Sequence, residues 1–389
     1  MTLNMLKVSP RVAVMARDLK TRFGHMIPRM QEARSIVQAR AGDWEELAAL
    51  ARASKRRLPH PLEPLDWRSA TEPLAPDHVV IATDGSQIEP DRHGPADFFL
   101  LNIGWAVVRY GSEPYADLAS EPTLYHEPKD TYITHGERRV PIQDRHLSAK
   151  RAVEEITQAV DLAEAWEPLA VPLAVLADGT LLQWVLDDRP DDFLRVALLQ
   201  PYVDQLARLR DLGVPLGSYI SRPRSIEVST LLHETICRQP SGGCGLCERG
   251  LGEPCVFDRL PDRELFRFLE LGERSALFGM AVPTGLQKYY AGLEPRFFFL
   301  NVGSEIARIE VPPWTADDPA ALDHIQAVIM DQCQKGLGYP NVLARAHEQA
   351  VVTGQDRMAF EYLLDAVLAR EGVPARTSEK LHSKRVRAV

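Results

Sequence analysis

Two short apolar runs of similar character lie in the middle of the chain, and each leads directly into an Asp-Gly pair followed by a hydroxyl residue. The first is VVIATDGSQIEP, residues 79–90, and the second is LAVLADGTLLQW, residues 173–184. Apolar runs of this length that end in turn residues predict buried β-strands. We therefore expect Asp84 and Asp178 just beyond the ends of two strands, where glycine permits a tight turn.

The rest of the pattern predicts an α/β protein with a mixed sheet. Residues 10–57 read as helical, and five prolines between 59 and 76 predict a stiff linker. A long strand is predicted at 97–111, with a slip in its alternation that is consistent with a β-bulge, and a strand and hairpin at 123–136. Further strands are predicted at 214–221 and 296–311, and further helices at 147–166, 191–212, 225–236, 318–335, 340–353 and 356–371.

The two aspartates follow strands that reach the same edge of the sheet if the strands are neighbours. Carboxylates that converge in this way suit hard divalent cations such as Mg²⁺ or Mn²⁺. The predicted helix between them offers Glu154 and Glu155 as a third carboxylate. Glu155 lies at the edge of the helix's apolar stripe and Glu154 nearly opposite it, so Glu155 is favoured and Glu154, expected to face water, is the alternative. An isolated Asp-Gly is more often a plain turn, but two on matching strands favour a metal site.

Composition and charge narrow the function class. The chain has 389 residues, of which 45% are hydrophobic and 25% charged, with a net charge of −9. That charge disfavours a general nucleic-acid coat protein, because binding to phosphates relies on Lys and Arg. Acidic metal ligands are compatible with it. No stretch is apolar over the length of a bilayer span, and the N-terminus lacks a signal-peptide pattern, so we expect a cytoplasmic protein with no membrane contact.

Strand–Asp, hairpin strands, helix–Glu and strand–Asp is the order found in ribonuclease H-like nucleases, in which acidic residues hold metal ions that activate water. Beyond this order, DGSQI with LNIGWAVVRYG, and LADGTLLQW, resemble the Asp-Gly motifs of the NurA nucleases. Further stretches resemble the same family in the same order along residues 78–365. They are GSYISRPRSIEV, ELGERSALF, FFFLNVGSEIARIEVPPW and GYPNVLARAHEQAVV.

This resemblance implies a ribonuclease H-like, PIWI-like core within a nuclease domain at 77–371. A helical region with a Pro-rich linker at 1–76 precedes it, and a basic tail at 372–389 follows. It implies a homodimeric, Mn²⁺- or Mg²⁺-dependent 5′–3′ DNA exonuclease, with single-strand endonuclease activity as an option. Such an enzyme works with a hexameric HerA-type translocase in DNA end resection and double-strand-break repair. A non-catalytic DNA-end clamp or assembly partner of the translocase is the alternative.

The resemblance also assigns site residues. Asp84 and Asp178 match the two family aspartates, and Glu155 matches the intervening glutamate. Tyr339 and His347 match a Tyr and a His near the family's C-terminus. From the residues alone, Pro340 suits the first helical position and places Tyr339 at the cap, while His347 falls in a stripe with Leu343, Ala346, Ala350 and Val351. A histidine on an apolar face is more often a core residue, and the resemblance reverses that expectation.

Two features lie outside the carboxylate site. Arg222 and Arg224 are predicted at a helix N-terminus, where they are candidates for DNA-backbone contacts or for an ion pair with Glu227.

Four of the five cysteines, Cys237, Cys244, Cys247 and Cys255, cluster in a Gly- and Pro-rich insert at 237–256. This spacing favours a structural Zn²⁺ site over a [4Fe–4S] cluster, with four free thiols as the alternative. Cys333 is expected to be a buried apolar residue.

Overall fold

The computed structural model describes residues 4–90, 97–187, 192–236, 255–257 and 259–373. The chain forms two compact units, each assembled from separate stretches. The first comprises Met1–Ala70, Ser221–Ala281 and Arg296–Arg308, and the second comprises Thr71–Ile220, Val282–Pro295 and Ile309–Val389. The domain boundaries expected from the sequence, at 76 and 371, stay a prediction.

Helices and strands follow the predicted order closely. The helices are α1 Met5–Ala39, α2 Trp44–Ala53, α3 Pro128–Thr131, α4 Arg145–Trp166, α5 Asp192–Asp211, α6 Glu227–Ile236, α7 Asp262–Leu265, α8 Thr284–Tyr290, α9 Pro313–Ala316, α10 Pro319–Lys335, α11 Asn341–Ala350 and α12 Gly354–Arg370. The strands are β1 His60–Pro61, β2 His78–Ile88, β3 Phe99–Tyr110, β4 Tyr115–Tyr125, β5 Tyr132–His135, β6 Arg138–Pro141, β7 Leu173–Asp178, β8 Leu216–Ile220, β9 Phe278–Gly279, β10 Arg296–Asn301 and β11 Ile306–Val311.

The second unit contains a mixed sheet in the order β8-β7-β2-β3-β4. Strand β7 runs parallel to both β2 and β8, and β2, β3 and β4 are antiparallel to one another. The two apolar strands are therefore neighbours, which is the condition under which their aspartates share one edge of the sheet. Residues 79–82 and 173–176 are buried, as is typical of parallel strands covered on both faces.

Strand β3 does not contain the expected bulge. Its pairing with β2 runs without interruption from His78 opposite Tyr110 to Ile88 opposite Leu100, and its pairing with β4 is equally regular. The alternation of β3 slips because several consecutive residues, 101–104, are buried on both faces of the sheet. An apolar run in a doubly covered strand thus imitates the sequence signature of a bulge.

Helices α4 and α11 pack on opposite faces of β2. Thr83 Oγ1 donates to the Glu155 carbonyl of α4 at 2.9 Å, whereas the hydroxyl of Ser86 donates to the Ala350 carbonyl of α11. Odd and even residues of a strand point to opposite faces, which separates the two helices. Helix α4 buries the predicted stripe, including Val153, Ile156 and Val160. Strand β2 is thus the wall shared by both helices.

The first unit contains the antiparallel strands β1, β9 and β10, which pair in that order. Its core holds a cluster of aromatic rings, in which Phe266 stacks on Phe299 and Phe278 stacks on Phe297. The buried Arg274 guanidinium binds both carboxylate oxygens of Glu63, at 2.8 and 3.2 Å. None of the helices in the described part of the chain combines the length and the apolar character that a bilayer span requires.

The cysteine cluster lies largely outside the described residues, which include Cys255 but not Cys237, Cys244 or Cys247. Cys255 is buried, and its carbonyl oxygen accepts a hydrogen bond of 2.8 Å from the Arg29 guanidinium of α1. A Zn²⁺ or [4Fe–4S] site in this insert stays a prediction. Cys333 is buried on α10, as expected.

His324 on α10 makes stability depend on pH. Burial, together with the nearby His78, lowers its pKa to about 4. A histidine whose pKa is depressed by folding takes up its proton more readily when unfolded, so the fold loses stability as pH falls from about 6.5 towards 4. We expect about 1–3 kcal/mol to be lost over this window. Urea unfolding between pH 7 and 4 should show that the loss is smaller in His324→Leu and unchanged in the exposed control His126→Leu.

Candidate functional site

Asp84 lies within strand β2 and not beyond its end, which corrects the expectation from the sequence. Strand β2 continues through Asp84 and Gly85 to Ile88 because β3 pairs with it along this whole length, with Gly104 opposite Asp84. Only the parallel pairing with β7 stops earlier, at Ala82 opposite Leu176. Beyond that point β2 has lost its neighbour on the β7 side, and the Asp84 carboxylate lies at this opening in the sheet.

Gly85 has a packing role instead of a turn role. A Cβ atom at this position would lie 2.6 Å from Glu155 Oε1 and 2.8 Å from Arg151 Cγ. Contacts between heavy atoms at such distances are repulsive, so only glycine lets these side chains lie against the strand. The DGS motif therefore combines a carboxylate with a space that its neighbours on α4 occupy.

Glu155 is the α4 carboxylate that reaches this opening. Its Oε1 lies 3.0 Å from Arg151 Nε. Burial raises the pKa of Glu155 to about 8, Arg151 opposes that rise, and the carboxylates of Asp84 and Asp178 add to it. Glu154 instead pairs with Lys150 and approaches the Tyr125 hydroxyl. The expectation that Glu154 points to water is wrong, because β4 and Lys150 partly cover it.

Asp178 is the last residue of β7, and here the Asp-Gly pair does form the expected turn, with Gly179 at φ +83°. Burial and the Asp84 carboxylate raise the pKa of Asp178, and a hydrogen bond from Tyr339 lowers it. Burial, and to a smaller extent the Asp178 carboxylate, raises the pKa of Tyr339. The Tyr339 hydroxyl therefore stays protonated and donates to Asp178. Its ring also packs edge to face against Tyr219 of β8, at 5.4 Å between centroids.

His347 reaches the other side of Asp84. Its Nδ1 lies 2.6 Å from Asp84 Oδ2, while Asp84 Oδ1 accepts from the Gly85 backbone N–H at 2.8 Å. The imidazole is 66% exposed, so the expected place of His347 within the buried stripe is wrong. Helix α11 buries Leu343, Ala346 and Ala350, and His347 lies at the rim of that face.

The boundaries of α11 also differ from the prediction. The helix begins at Asn341, with Pro340 as its N-cap residue, so Tyr339 precedes the cap. The helix ends at Ala350, and Val351 is exposed beyond it. The predicted ends, 340 and 353, differ from the observed ends by one and three residues. Differences of this size are common because a periodic pattern does not define helix termini sharply.

Two residues that sequence reasoning did not single out fix α11 against the sheet. Asn102 Nδ2 donates to the Ala350 carbonyl at 2.8 Å, and that carbonyl also accepts from the Ser86 hydroxyl. Opposite Asp84, a Cβ atom on Gly104 would lie 2.3 Å from the Ala350 backbone nitrogen. The sequence did contain a signal for this contact. Gly104 lies inside a predicted strand, on the same face as Asn102, and a glycine at such a position often marks the close approach of another backbone.

Gly104→Ala is expected to push α11 away from the sheet and to destabilise the protein by roughly 1–3 kcal/mol. The added methyl group meets helix backbone, which cannot move aside as a side chain can. Denaturant unfolding measures the loss. Gly354→Ala is the control, because a Cβ there has nothing within 4 Å. Equal stability of Gly104→Ala and the wild-type protein would contradict the close packing described above.

The donor set suits a hard divalent cation, although it is not preassembled. Asp84, Glu155 and Asp178 offer carboxylate oxygens, and their mutual repulsion contributes to the raised pKa values of Glu155 and Asp178. A cation would relieve this repulsion. Within the described residues, however, no three His, Cys, Asp or Glu side chains are grouped closely enough to ligate one ion. Each carboxylate contacts a protein partner instead, His347, Arg151 or Tyr339.

Arg222 and Arg224 are exposed residues of the first unit and precede helix α6, which begins at Glu227. The expected helix N-terminus is already capped, because the buried Asp262 carboxylate accepts the N–H groups of Glu227 and Ser229 at 2.9 and 2.8 Å. Glu227 pairs with Arg308 instead of with either arginine. The helix dipole is thus compensated within the protein, which removes one reason for placing a phosphate there.

The second unit defines a class of protein. Three antiparallel strands followed by two parallel strands, with α4 inserted before β7, form the ribonuclease H-like arrangement of an α/β domain. Carboxylates come from β2, from α4 and from the end of β7. They line one cavity of about 330 Å³ together with Arg151 and Trp184.

The chain belongs to the NurA family, because the model of the NurA domain matches residues 78–352. The structure also resembles the crystal structure of the NurA nuclease from Sulfolobus solfataricus. That match covers 93% of this chain and 98% of the other, with a TM-score of 0.52 and 12% sequence identity, and it confirms the predicted fold class. The catalytic domain of human endonuclease V matches 86% of this chain and 98% of its own, at 13% identity and a TM-score of only 0.32. No curated protein matches the chain.

Proposed function

We propose that the protein is a DNA nuclease that hydrolyses phosphodiester bonds at the edge of β2. The observation that carries this proposal is the convergence of Asp84, Glu155 and Asp178 on one cavity, with Tyr339 bonded to Asp178 and His347 to Asp84. Membership of the NurA family and a fold like that of a NurA nuclease support it.

Asp84, Glu155 and Asp178 are the residues that would hold Mn²⁺ or Mg²⁺. Such an ion supplies an activated water and stabilises the charge that develops on the phosphate oxygens. Glu155 is protonated through much of the neutral range in the absence of a cation, since its pKa is about 8. Glu155 would therefore have to lose this proton before it could hold a divalent ion, so ion binding would weaken as the pH falls.

The remaining residues orient the carboxylates and handle protons. Tyr339 donates to Asp178 and fixes the rotamer of that carboxylate. The Nδ1–H of His347 donates to Asp84, which leaves Nε2 of the exposed ring for the substrate. At that atom a doubly protonated ring would donate a proton to the leaving oxygen of the cleaved strand, and it would regain one from solvent after the product leaves. Arg151 holds Glu155 and lies in the same cavity, where its charge suits a phosphate.

Arg222 and Arg224 are proposed as contacts to the DNA backbone. Neither guanidinium forms an ion pair within the described part of the chain. Arg222 lines a cavity of about 490 Å³ with Arg263 and Arg267. Its backbone has a φ of +44°, an uncommon conformation for a residue other than glycine, and its carbonyl accepts a hydrogen bond of 3.1 Å from Arg263. Arginine guanidinium groups in such a cavity suit phosphate oxygens.

Family membership supports the finer parts of the proposal. The enzyme is a 5′–3′ exonuclease, and cleavage within single strands is a further activity. It acts in the cytoplasm as a homodimer, together with a HerA-type hexameric translocase, in resection of DNA ends during double-strand-break repair. A partner that delivers DNA would also explain how a chain with a net charge of −9 receives an anionic substrate.

Digestion of DNA labelled at either its 5′ or its 3′ end tests this function. With Mn²⁺ or Mg²⁺ we expect stepwise loss from the 5′ end, which is what a 5′–3′ exonuclease produces, and no cleavage when a chelator is present. Fragment lengths from the two labels separate exonuclease from endonuclease cleavage. Cleavage that continues undiminished in excess chelator would contradict the role of the carboxylates.

A non-catalytic DNA-end clamp is the second candidate function. One observation favours it, which is that the carboxylates are held by protein partners and form no ready ligand set among the described residues. A clamp would bind DNA ends equally well with chelator or with Mn²⁺, and it would leave both labelled strands intact. The digestion experiment therefore distinguishes the two candidates directly.

A further inference from the structure

The cavity beside the carboxylates has a second wall that the hydrolytic chemistry does not use. Ala152 and Ile156 of α4 and Val175 and Leu176 of β7 supply apolar surface, and the segment after Asp178 closes the cavity. Trp184 belongs to that segment and also lines the cavity. It is 37% exposed, so a large aromatic side chain remains partly uncovered beside the site.

The segment that carries Trp184 is held in place by buried polar groups. The buried Glu310 carboxylate accepts from Thr180 Oγ1 and from the Leu181 backbone N–H, both at 2.9 Å. Tyr290, also buried, donates its hydroxyl hydrogen to the Leu181 carbonyl at 2.9 Å and accepts from the Gln183 N–H at 3.1 Å. Trp184 follows directly and begins a short 3₁₀ turn. Because this segment is already fixed, a ligand that contacts the exposed part of Trp184 would lose little free energy in ordering it.

The chemistry of the cavity suits one nucleotide. The Arg151 guanidinium suits a phosphate, and Trp184 supplies the cavity lining with an indole on which a base can stack. The volume of about 330 Å³ lies at the lower end of the range for small-ligand pockets. A base that is paired in a duplex is covered by its complement and its stacked neighbours, so only an unpaired base can enter.

We propose that this cavity is a subsite for one unpaired nucleotide next to the scissile phosphate, with the base stacked on Trp184. Stacking on Trp184 would hold the strand so that the phosphate next to the unpaired nucleotide meets the carboxylate centre. This inference rests on the proposed nuclease function, which it extends by naming the residue that positions the substrate strand.

Equilibrium binding without catalysis tests the subsite. Fluorescence anisotropy of a labelled oligothymidylate is measured in excess chelator for the wild-type protein and for Trp184→Ala, Trp184→Phe and Trp67→Ala. We expect Trp184→Ala to bind roughly tenfold more weakly, because stacking of one base is lost. Trp184→Phe keeps an aromatic face and should stay close to wild type. Trp67, which is 45% exposed in the first unit, is the matched control and should have no effect.

A second variant separates loss of stacking from loss of folding. Ala152→Phe fills the cavity and leaves Trp184 in place, so it should weaken binding of the oligothymidylate as Trp184→Ala does, with an unchanged thermal midpoint. Wild-type affinity in both Trp184→Ala and Ala152→Phe would overturn the subsite. If binding depends on Trp184 but the wild-type protein cleaves no DNA with Mn²⁺ or Mg²⁺, the nuclease function fails and the subsite stands.

Discussion

Asp84→Asn is expected to lower the rate of DNA cleavage by at least about 10³-fold, because the centre loses one of the three carboxylates that would hold the cation. Asp84 is bonded to His347 and also interacts electrostatically with Glu155 and Asp178. An asparagine retains an oxygen for the Gly85 N–H, which is bonded to Asp84 Oδ1 at 2.8 Å. The fold should therefore persist while the negative charge is lost.

Initial rates on single-stranded DNA with saturating Mn²⁺ measure this loss. The matched control is Asp161→Asn, an exposed aspartate on α4 that pairs with Arg208 at 3.5 Å. We expect wild-type rates for the control and equal thermal midpoints for both variants. A cleavage rate in Asp84→Asn within a few-fold of wild type would remove Asp84 from the chemistry.

Glu155→Gln is expected to have the second largest effect, a loss of about 10²-fold or more in cleavage. The side chain keeps its size and its place beside Gly85 but no longer ionises. Glu154→Gln is an unusually close control, since the two residues are neighbours on α4 and only Glu155 contributes to the cavity. Glu154 contacts Lys150 and Tyr125 instead.

The pair of variants also decides between the two carboxylates that the sequence offered. Cleavage rates measured side by side at pH 8 should show near wild-type activity for Glu154→Gln. Equal losses in both variants would indicate a general effect on α4, and a loss confined to Glu154→Gln would exclude Glu155. Circular dichroism of both proteins should show that the helix is retained.

Much of the fold was predictable because its elements carry strong periodic signals. Strands β2 and β7 and the apolar stripe of α4 appear where the sequence predicts them. The pairing of β2 with β7 agrees with the ribonuclease H-like order of elements along the chain. The choice of Glu155 over Glu154 depended on helical geometry alone, and the structure places Glu155 at the opening. Short-range patterns determine such features.

The failures have a common physical cause, which is that tertiary contacts decide them. Asp-Gly usually indicates a turn, but β3 supplies partners along all of β2 and keeps Asp84 inside the strand. The importance of Gly85 and Gly104 comes from side chains and backbone more than 60 residues away in sequence, at Glu155 and Ala350. The sequence predicts a free N-terminus for α6, but Asp262, from a distant segment, caps it.

Binding of Mn²⁺ tests the central claim most directly, which is that Asp84, Glu155 and Asp178 together hold a divalent cation at the edge of β2. Electron paramagnetic resonance follows the loss of free Mn²⁺ signal as wild-type protein, Asp178→Ala or Glu154→Gln is titrated at pH 8. We predict saturable binding by the wild-type protein and by Glu154→Gln, and a large loss of that binding in Asp178→Ala. Undiminished Mn²⁺ binding by Asp178→Ala would contradict the claim.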